Sequence, residues 1–372
     1  MDIAIISSYP TEGCGVSKYT KELINGLERN QVNVLSHRIF FYKQKLRSIF
    51  LLIKIICDIL SRKPEIVHIQ YTPPICGPFI IPFLFLLKFF GSAKIIVTAH
   101  EKPDGYLRHI KNKMIGKAFL LYEKNIFRLA KKVLVHTTEH KQKLIDGYHT
   151  PNEKIEIIPY GIGKGSTVTD NQIQEIKEKY NLKNGKIITF FGSIRPNKGV
   201  EYLISAFSEV IKKKNNLILL IAGSAPKIWS EYLNSLKNLS ITLNIADYIR
   251  FAGFIGDRDI PAILQTSEIV VLPYIQITQS GVLYHEVIPY AKPVIISDVG
   301  GIAETVKKYH IGVVVPPKDV ISLENAILEI LNNYKKCNKY IENQKRVRKQ
   351  YSWINIARMH VKIYRGEKYE HF

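Results

Sequence analysis

Two cations stand where a buried strand is expected to turn into a helix. The apolar run Ile187–Phe191 predicts a strand, and Gly192 permits a sharp turn after it. Arg195 and Lys198 then precede an amphipathic helix, where a cation opposes the helix macrodipole at a cost of about 0.3–1 kcal/mol. That placement becomes favourable when an anion binds to the free backbone N–H groups and to both cations. The pattern therefore predicts an anion site, with an ordinary surface lysine near a helix start as the alternative.

A second stretch, residues 279–304, has a similar arrangement without the cations. Ser280 and Gly281 stand where a helix is expected to begin after the apolar run IVVLPY, so their backbone N–H groups form a second candidate anion site. Glu286 falls about two turns into this helix, which is predicted over Gly281–Ala291. A carboxylate at that point can accept hydrogen bonds from sugar or ribose hydroxyls.

Alternating strand and helix patterns run through the whole chain and predict parallel sheets with crossover helices. Both halves open alike, with a strand, a glycine-containing turn and a helix, at Ile3–Gly15 and at Ile187–Gly199. Residues 160–172, YGIGKGSTVTDNQ, are rich in Gly, Ser and Thr, which is typical of a linker. The fold class is therefore α/β, with two Rossmann-like doubly wound domains facing across a cleft and ligands at the carboxyl ends of the strands.

The composition is that of a globular protein able to bury large cores. The 372 residues are 46% hydrophobic and 23% charged, which excludes collagen-like, coiled-coil and disordered chains. Lys and Arg total 53 against 32 Asp and Glu, and the net charge of +21 favours an anionic partner: nucleic acid, a phosphate-rich ligand or an acidic membrane. A Lys-rich background is the alternative. The 4 cysteines lack metal-ligand spacing and indicate reduced thiols in a cytosolic protein.

One segment, residues 40–91, combines apolar and basic residues. Its second part, GPFIIPFLFLLKFFG at 77–91, has an apolar core that is too short to span a bilayer and contains Pro and Lys. Its first part, residues 40–63, mixes apolar side chains with Lys and Arg, a composition typical of an interfacial helix on anionic lipid. A core helix with a solvated basic rim is an equally good interpretation at this stage.

Residues 187–320 resemble the nucleotide-sugar-binding domain of the retaining glycosyltransferases of family 4, which have the GT-B fold. The matching pieces, in the family's order and spacing, are FFGSIRPNKGVEYLISAF, LLIAGSA, IRFAGFI, IVVLPY, SGVLYHEVIPYAKPVIISDVGGIAETV and IGVVVPPKD. The first half is similar through YPTEGCGVSKYTKEL, IVTAHEKP and IEIIPYGI. The resemblance implies an acceptor-side domain at 1–165, a linker region at 166–185 and a nucleotide-sugar-binding domain at 186–351. It also implies a C-terminal helix at about 352–372 that packs back on the first domain.

The resemblance also implies roles for individual residues. Arg195 and Lys198 would neutralise the donor diphosphate, and His100 would contact the transferred sugar. Glu286 matches the second carboxylate of the family's E-x-seven-E motif and would bind the ribose hydroxyls. The other implied donor contacts come from glycines and from the backbone at the predicted helix start: Gly15, Gly192, Ser280, Gly281 and Val282.

Three positions depart from the family pattern. Thr278 stands eight residues before Glu286, where the family has its first Glu, and it cannot act as a carboxylate. Gln279 or backbone groups would then bind the sugar hydroxyls. Ser193 directly follows the glycine, where the family often has Arg, and Tyr160 stands where many members have His.

Two patterns that suggest a metal are given other interpretations. The D-x-D of Asp257 and Asp259 lies away from the predicted site motifs and is interpreted as a helix N-cap with a solvated turn. His136 and His140 lie four residues apart across a strand-to-helix join and are interpreted as surface or cleft residues. We therefore expect no metal and no cofactor.

The sequence thus predicts a retaining, metal-independent glycosyltransferase. It would move a sugar from a UDP- or GDP-sugar to a glycan or lipid-linked acceptor, in cell-surface polysaccharide synthesis. We expect a cytoplasmic protein, peripheral on the inner face of the cell membrane, with an anionic membrane surface as a further partner. A catalytically degenerate nucleotide-sugar-binding protein is the alternative, prompted by Thr278. A nucleic-acid partner is not expected, because an interleaved aromatic and basic motif is lacking.

Overall fold

The computed structural model describes residues 1–8, 15–39, 45–72, 80–101, 113–182 and 185–367. The chain divides into two compact units. Unit 1 comprises residues 1–161 and 351–372, and unit 2 comprises residues 162–350. The chain therefore passes from unit 1 to unit 2 once and returns once.

Unit 1 contains a parallel sheet of six strands in the order β2-β1-β3-β4-β5-β6. The strands are β1 Asp2–Ser7, β2 Asn33–Arg38, β3 Ile66–Tyr71, β4 Lys94–Ala99, β5 Lys132–Val135 and β6 Ile155–Ile157. The helices of the N-terminal part are α1 Gly15–Arg29, α2 Lys45–Arg62, α3 Ile80–Phe90, α4 Lys113–Leu129 and α5 Thr138–Tyr148.

Unit 2 contains a second parallel sheet of six strands, in the order β12-β11-β10-β7-β8-β9. The strands are β7 Lys186–Phe191, β8 Leu217–Ala222, β9 Ile249–Gly253, β10 Ser267–Leu272, β11 Val294–Ser297 and β12 Val313–Val315. The α-helices are α6 Asp170–Lys179, α7 Val200–Lys213, α8 Ser230–Thr242, α9 Ile260–Thr266, α10 Gly300–Tyr309, α11 Val320–Asn332 and α12 Tyr334–Gln350.

The central strands are buried along their whole length because helices cover both faces of each sheet. Every residue of β3 and of β8 is buried, which is the pattern expected for parallel strands in α/β proteins. The apolar face of α1 packs on its sheet through side chains such as Tyr19, Leu23 and Leu27. Two doubly wound, Rossmann-like units therefore form, and the predicted fold class is confirmed.

The last helix, α13 Trp353–Arg365, belongs to unit 1 and packs against α1. The contact is close at two glycines. A Cβ at Gly26 would lie 2.6 Å from the carbonyl oxygen of Trp353, and a Cβ at Gly161 would lie 2.5 Å from its ring. The Tyr364 hydroxyl lies 2.7 Å from Nδ1 of the buried His68 on β3. Unit 1 is thus completed by residues from the end of the chain.

None of the helices in the described ranges combines the length and the apolar character needed to cross a bilayer.

Candidate functional site

Glycines bring two loops of unit 2 together at the carboxyl ends of β7 and β8. Gly192 has φ +134° and its N–H donates to the Ala222 carbonyl over 2.9 Å. Gly223 has φ +150°, and a Cβ there would lie 1.9 Å from the Gly192 carbonyl oxygen. Only glycine fits that approach. A Cβ at Gly192 would lie 3.6 Å from Cγ2 of Val282, so these two predicted site residues are neighbours.

The loop after Gly192, residues 192–199, is called the cation loop below. Its end is fixed by Gly199, which has φ +64°. A Cβ added at this position would lie 2.1 Å from the Pro273 carbonyl oxygen. The Asn197 carbonyl accepts from the Ile275 N–H over 3.0 Å. The loop is therefore held against the residues that follow β10, the strand next to β7 in the sheet.

Arg195 and Lys198 of the cation loop differ in exposure. The exposed Arg195 precedes a 3-10 turn at Pro196–Lys198, and its Nε donates to the Ser193 hydroxyl over 3.2 Å. The half-buried Lys198 places Nζ 3.8 Å from the centre of the Tyr274 ring, a cation–π contact. Within the described residues neither cation has a carboxylate partner.

Burial and, to a smaller extent, the nearby Arg195 together lower the pKa of Lys198 to about 7. Two neighbouring cations, one of them partly desolvated, repel each other until an anion binds between or beside them. The cation loop is therefore built to receive an anionic group such as a phosphate or diphosphate. Such a group would return the Lys198 pKa toward its usual range.

Residues 278–282 run past the same point and are anchored on both sides. The buried Tyr274 hydroxyl lies 3.3 Å from the Ser280 hydroxyl, and burial raises the pKa of Tyr274 to about 12. The Thr278 carbonyl accepts from the Gly301 N–H over 2.9 Å. Tyr274 thus contacts both Lys198 and Ser280, which brings the two predicted anion sites together.

Gln279 has one satisfied and one unsatisfied end. Its Oε1 accepts from the Tyr284 hydroxyl over 3.0 Å, and that hydroxyl also lies 2.7 Å from the Thr305 hydroxyl. Its Nε2 is buried and has no hydrogen-bond partner among the described residues. An unsatisfied amide N–H of this kind costs free energy unless a ligand or a rearrangement satisfies it.

A helix forms where it was predicted, at residues 281–290, but it is not an α-helix. A π-helical turn at Val282–Val287 is followed by a 3-10 turn at Ile288–Tyr290. Pro289 has no N–H to donate to the Tyr284 carbonyl, its partner five residues earlier in the π-helical pattern, and that carbonyl accepts instead from the Gly163 N–H over 3.1 Å. Such π turns often occur at functional sites. The half-buried Glu286 lies on this turn, four residues after Val282.

Unit 1 holds the predicted sugar contact, His100, directly after β4. Its Nε2 lies 2.8 Å from the Gln70 Oε1. Because a carbonyl oxygen only accepts, Nε2 carries the proton and Nδ1 is an acceptor. Burial holds the pKa of His100 well below its usual range, and the nearby His136 acts in the same direction. His100 is therefore a neutral ring near pH 7.

His100 belongs to a cluster of rings around Tyr19 of α1, here called the aromatic cluster. The centre of the Tyr19 ring lies 4.8 Å from that of His100, 5.2 Å from those of His136 and Tyr160, and 4.9 Å from that of Trp353. The residues come from the ends of β4 and β5, from the segment after β6, and from α1 and α13. The sequence analysis named His100 but did not connect it to Tyr19.

Gly15, the other residue of unit 1 implied by the resemblance, is the first residue of α1. A Cβ there would meet nothing within 4 Å, so no described contact requires glycine at this position. The loop residues before it lie outside the described residues. The structure places Gly15 on the helix that carries Tyr19, four residues away.

Both histidines interpreted as surface or cleft residues are buried, and that interpretation was wrong. His136 is 7% exposed and His140 is 1% exposed. Thr137 caps α5 by accepting from the His140 N–H over 3.0 Å, which turns that residue toward the interior. The Nδ1 of His136 lies 2.9 Å from the Ile158 carbonyl oxygen, and burial lowers its pKa to about 4.

Asp259 of the D-x-D motif stands at the N-cap position of α9, as the sequence predicted, but its side chain does not cap the helix. Asp259 precedes α9 with helical angles, φ −88° and ψ −21°, and its side chain makes no capping bond. It pairs instead with Lys179, with Nζ 2.7 Å from Oδ2. In the described part of the chain, three potential metal ligands of the His, Cys, Asp or Glu type do not come together anywhere.

Tyr274 is the residue of this site that the sequence analysis missed. It ends the quoted run IVVLPY, directly after β10, and the alternation of strands places it at the carboxyl edge of the sheet beside the cation loop. An aromatic residue after a strand that neighbours a predicted cation site is the signal that could have identified it.

Comparisons with known proteins cover most of the chain. Residues 172–347 match the family model described as Glycosyl transferases group 1. Residues 13–163 match the model described as Glycosyltransferase Family 4.

Two curated relatives and one solved structure illustrate the similarity. An uncharacterized glycosyltransferase of Methanocaldococcus jannaschii is 26% identical over 242 residues, 63% of this chain and 60% of that protein. The GDP-mannose-dependent alpha-(1-6)-phosphatidylinositol monomannoside mannosyltransferase of Mycobacterium tuberculosis is 24% identical over 188 residues, 49% of this chain and 48% of that protein. The chain thus spans less than two thirds of the length of these relatives.

The crystal structure of Anabaena HepE in complex with UDP matches 98% of this chain and 100% of that chain, with a TM-score of 0.76 and 16% sequence identity. At this identity the match shows the fold alone.

Proposed function

Because the chain belongs to glycosyltransferase family 4, with the GT-B fold of two Rossmann-like domains, we propose that it transfers a sugar from a nucleotide diphosphate sugar to a glycan or lipid-linked acceptor. The proposal includes retention of the anomeric configuration and a reaction without a metal. It places the protein on the cytoplasmic side, at the inner face of the cell membrane, in the synthesis of a cell-surface polysaccharide.

The observation that carries the proposal is the pair of cations in the cation loop. Lys198 and Arg195 lie side by side without a carboxylate among the described residues, and the backbone of residues 278–282 follows the same edge. When the bond between the anomeric carbon and the diphosphate oxygen breaks, negative charge develops on the leaving diphosphate. Preorganised cations stabilise that charge in the transition state, which is the work that a metal performs in other enzymes.

The acceptor proton needs a destination in a retaining reaction. The acceptor oxygen attacks the anomeric carbon on the face that the diphosphate leaves, and a phosphate oxygen of the leaving group takes the acceptor proton. This route requires no separate general base. It agrees with the neutral, partnered state of His100, whose Nδ1 can accept a hydrogen bond from a sugar hydroxyl.

Two bases are candidates for the donor. A relative is named as GDP-mannose-dependent, and a structural neighbour was crystallised with UDP. The acceptor is proposed to be lipid-linked because a relative's name contains phosphatidylinositol monomannoside. Glu286 is proposed to bind the ribose, and Gln279 is proposed to bind a sugar hydroxyl in place of the carboxylate that Thr278 lacks.

Thermal stabilisation by UDP, GDP, ADP, CMP and dTDP, each with and without EDTA, tests the donor half of the proposal. A nucleotide at about 100 times its dissociation constant adds about 2.7 kcal/mol to the free energy of unfolding. We expect one nucleotide to stabilise the protein clearly more than the others, and we expect EDTA not to change this stabilisation. The anomeric configuration of the product by NMR then tests retention.

The alternative is a nucleotide-sugar-binding protein of the same fold without turnover. Thr278 favours it, because a carboxylate is missing from the motif. Donor binding without either transfer or hydrolysis would support this alternative, and no response to any nucleotide would contradict both.

A further inference from the structure

The exposed apolar side chains of unit 1 are concentrated on three helices. Within the described part of this unit, every large apolar residue that is exposed lies on α2, α3 or α4: Phe50, Leu51, Ile53, Phe85, Leu86, Phe89, Phe90, Met114, Ile115 and Leu121. In unit 2 such residues are scattered between residues 228 and 334. Scattered apolar residues are normal on a protein surface, whereas a contiguous patch indicates an interaction site.

The middle helix, α3, is apolar on both its inner and its outer side. Its inner side packs in the core of unit 1 through Ile80, Phe83, Leu84 and Leu87. Its outer side carries the exposed stripe of Phe85, Leu86, Phe89 and Phe90, and Phe89 is 86% exposed. A helix that is apolar all round is normally covered on all sides. Since α3 contacts both α2 and α4, its stripe lies in the middle of the patch.

The charges around this patch are almost all positive. Among the described residues of the three helices, the cations without an ion-pair partner are Lys54, Lys88, Lys117, Lys124 and Arg128. The two acidic residues are already engaged. Asp58 pairs with Arg62 over 2.9 Å, and the buried Glu123 accepts from the Tyr71 hydroxyl over 2.9 Å. A covering partner therefore meets positive charge that nothing on these helices neutralises.

Four cations converge near the C-terminal ends of α3 and α4. Lys154 donates to the Arg128 carbonyl over 2.9 Å. Burial lowers the pKa of Lys154, and Lys88, Lys131 and Arg128 lower it further by repulsion, while Glu153 acts in the opposite direction. Lys88 is exposed and lies three residues after Phe85 on α3, so the cluster adjoins the exposed stripe of that helix. Apolar side chains beside a cluster of cations match the acyl chains and phosphates of an anionic bilayer.

A recess opens between the C-terminal ends of α2 and α3. It encloses about 250 Å³ and is lined by apolar side chains that include Ile59, Leu87 and Phe90, with Lys63 as its cation. Its lining has the same combination of apolar surface and positive charge as the patch beside it.

We propose that the outer face of α2, α3 and α4, called the docking face, binds an anionic lipid bilayer. Phe85 and Phe89 insert among the acyl chains, and Lys88, Arg128, Lys131 and Lys154 bind lipid phosphates. Residues 40–44 and 73–79 of the segment noted in the sequence lie outside the described residues, and the proposal does not depend on them. The inference is independent of the transfer reaction, because it concerns only the attachment of unit 1.

Flotation of the full chain with vesicles, in the absence of any nucleotide sugar, tests the proposal. One set of vesicles is pure phosphatidylcholine, and the other is an equal mixture of phosphatidylcholine and phosphatidylglycerol. Binding is expected to the mixed vesicles at low salt and to weaken at high salt. The double variant F85S/F89S should bind about tenfold more weakly for each phenylalanine removed.

A matched control removes apolar residues that are equally exposed but lie elsewhere. Ile228 and Phe254 of unit 2 are 80% and 79% exposed. The double variant I228S/F254S should bind vesicles as the natural chain does. The double variant K88Q/K131Q tests the role of charge. Its affinity for anionic vesicles should fall about fivefold for each lysine removed. All variants alter exposed side chains, and unchanged thermal unfolding verifies that they fold.

Three results would overturn the proposal. The first is absence of binding to both sets of vesicles. The second is an equal loss of binding in F85S/F89S and I228S/F254S, which would indicate nonspecific adsorption through exposed apolar residues. The third is a dimer by light scattering that F85S/F89S dissociates, which would make a second copy of this chain the occupant. A chain that transfers sugar to a detergent-solubilised acceptor but does not bind vesicles would disprove the docking face and leave the proposed reaction intact.

Discussion

The two units bury ionisable groups in opposite ways. In unit 2, Lys198 is half-buried beside Arg195, and nothing in the described residues neutralises the pair. In unit 1, burial lowers the pKa values of His100 and His136, so both rings are neutral near pH 7 and pack in the aromatic cluster. Desolvation disfavours a charge in both places, but only the histidines can lose theirs completely at neutral pH.

This difference indicates which part of a ligand each unit can recognise. The cation loop is electrostatically incomplete until an anion binds, so it suits a diphosphate. The aromatic cluster is complete without charge, so it suits an uncharged partner that offers hydroxyl groups and ring faces. The contrast predicts distinct consequences for substitutions in each unit.

The largest effect is expected from removal of the Lys198 ammonium. K198A should lower kcat/KM by an amount that corresponds to the loss of about 2–4 kcal/mol of transition-state stabilisation. The reason is that the charge on the leaving diphosphate loses its partly desolvated partner. Steady-state kinetics with the nucleotide sugar identified by thermal stabilisation measures it. The exposed Lys214 supplies the control, K214A, which should react normally. Near-normal turnover of K198A would remove Lys198 from the site.

Gly199 is expected to matter for stability as much as for activity. A Cβ there would lie 2.1 Å from the Pro273 carbonyl at φ +64°, so G199A should lose about 1–3 kcal/mol of unfolding free energy. Chemical denaturation measures the loss. G116A in α4 is the control, because its Cβ meets nothing within 4 Å. Equal stability of the two variants would show that the cation loop relaxes freely.

His100 should separate sugar recognition from nucleotide recognition. H100A should lower kcat/KM by an amount that corresponds to the loss of about 1–2 kcal/mol of transition-state stabilisation, because a hydrogen-bonding ring is removed. The affinity for the free nucleotide should be unchanged. Calorimetry with the free nucleotide and kinetics with the sugar nucleotide distinguish the two. A matching fall in nucleotide affinity would contradict the assignment of the aromatic cluster to the uncharged part of the ligand.

The pH dependence of donor binding sharpens the same contrast. The pKa of Lys198 is lowered to about 7 in the free protein. Below that pH the ammonium is charged and attracts the diphosphate, and above it the charge is lost unless the donor holds it. The affinity should therefore fall as pH rises from about 7, by at most about tenfold per pH unit. K198A should abolish this slope. A slope that survives in K198A would have to come from another group.

The smallest effect is expected at the D-x-D. D257A should change the free energy of unfolding by less than about 0.5 kcal/mol and should leave kcat/KM nearly unchanged. EDTA should not inhibit the transfer reaction. Asp259 is engaged by Lys179, and three metal ligands do not meet in the described residues. Strict dependence on a divalent ion in a transfer assay would overturn the metal-independent proposal.

Local patterns predicted most of the fold. The strand expected at Ile187–Phe191 forms at Lys186–Phe191, one residue longer than predicted. Apolar runs of strand length between glycines and helices are sufficient for this, because parallel strands are buried on both faces. The cation loop was predicted for the same reason, since its glycine and cations are close in sequence.

Features that depend on distant residues were not predicted. The π turn at Val282–Val287 depends on the Gly163 amide, more than a hundred residues earlier. Tyr274 meets Lys198 only because β10 and β7 are neighbours in the sheet. The interior positions of His136 and His140 depend on how α5 starts.

The return of the chain at residue 351 has a consequence for protein synthesis. Unit 2 is continuous in sequence and can fold as soon as residue 350 has left the ribosome, whereas unit 1 waits for α13. Until then Gly161 lacks Trp353, and His68 lacks the Tyr364 hydroxyl. The domain that is translated first is therefore completed last. A truncation that removes α13 would therefore destabilise unit 1, although most of unit 1 lies in the first part of the sequence.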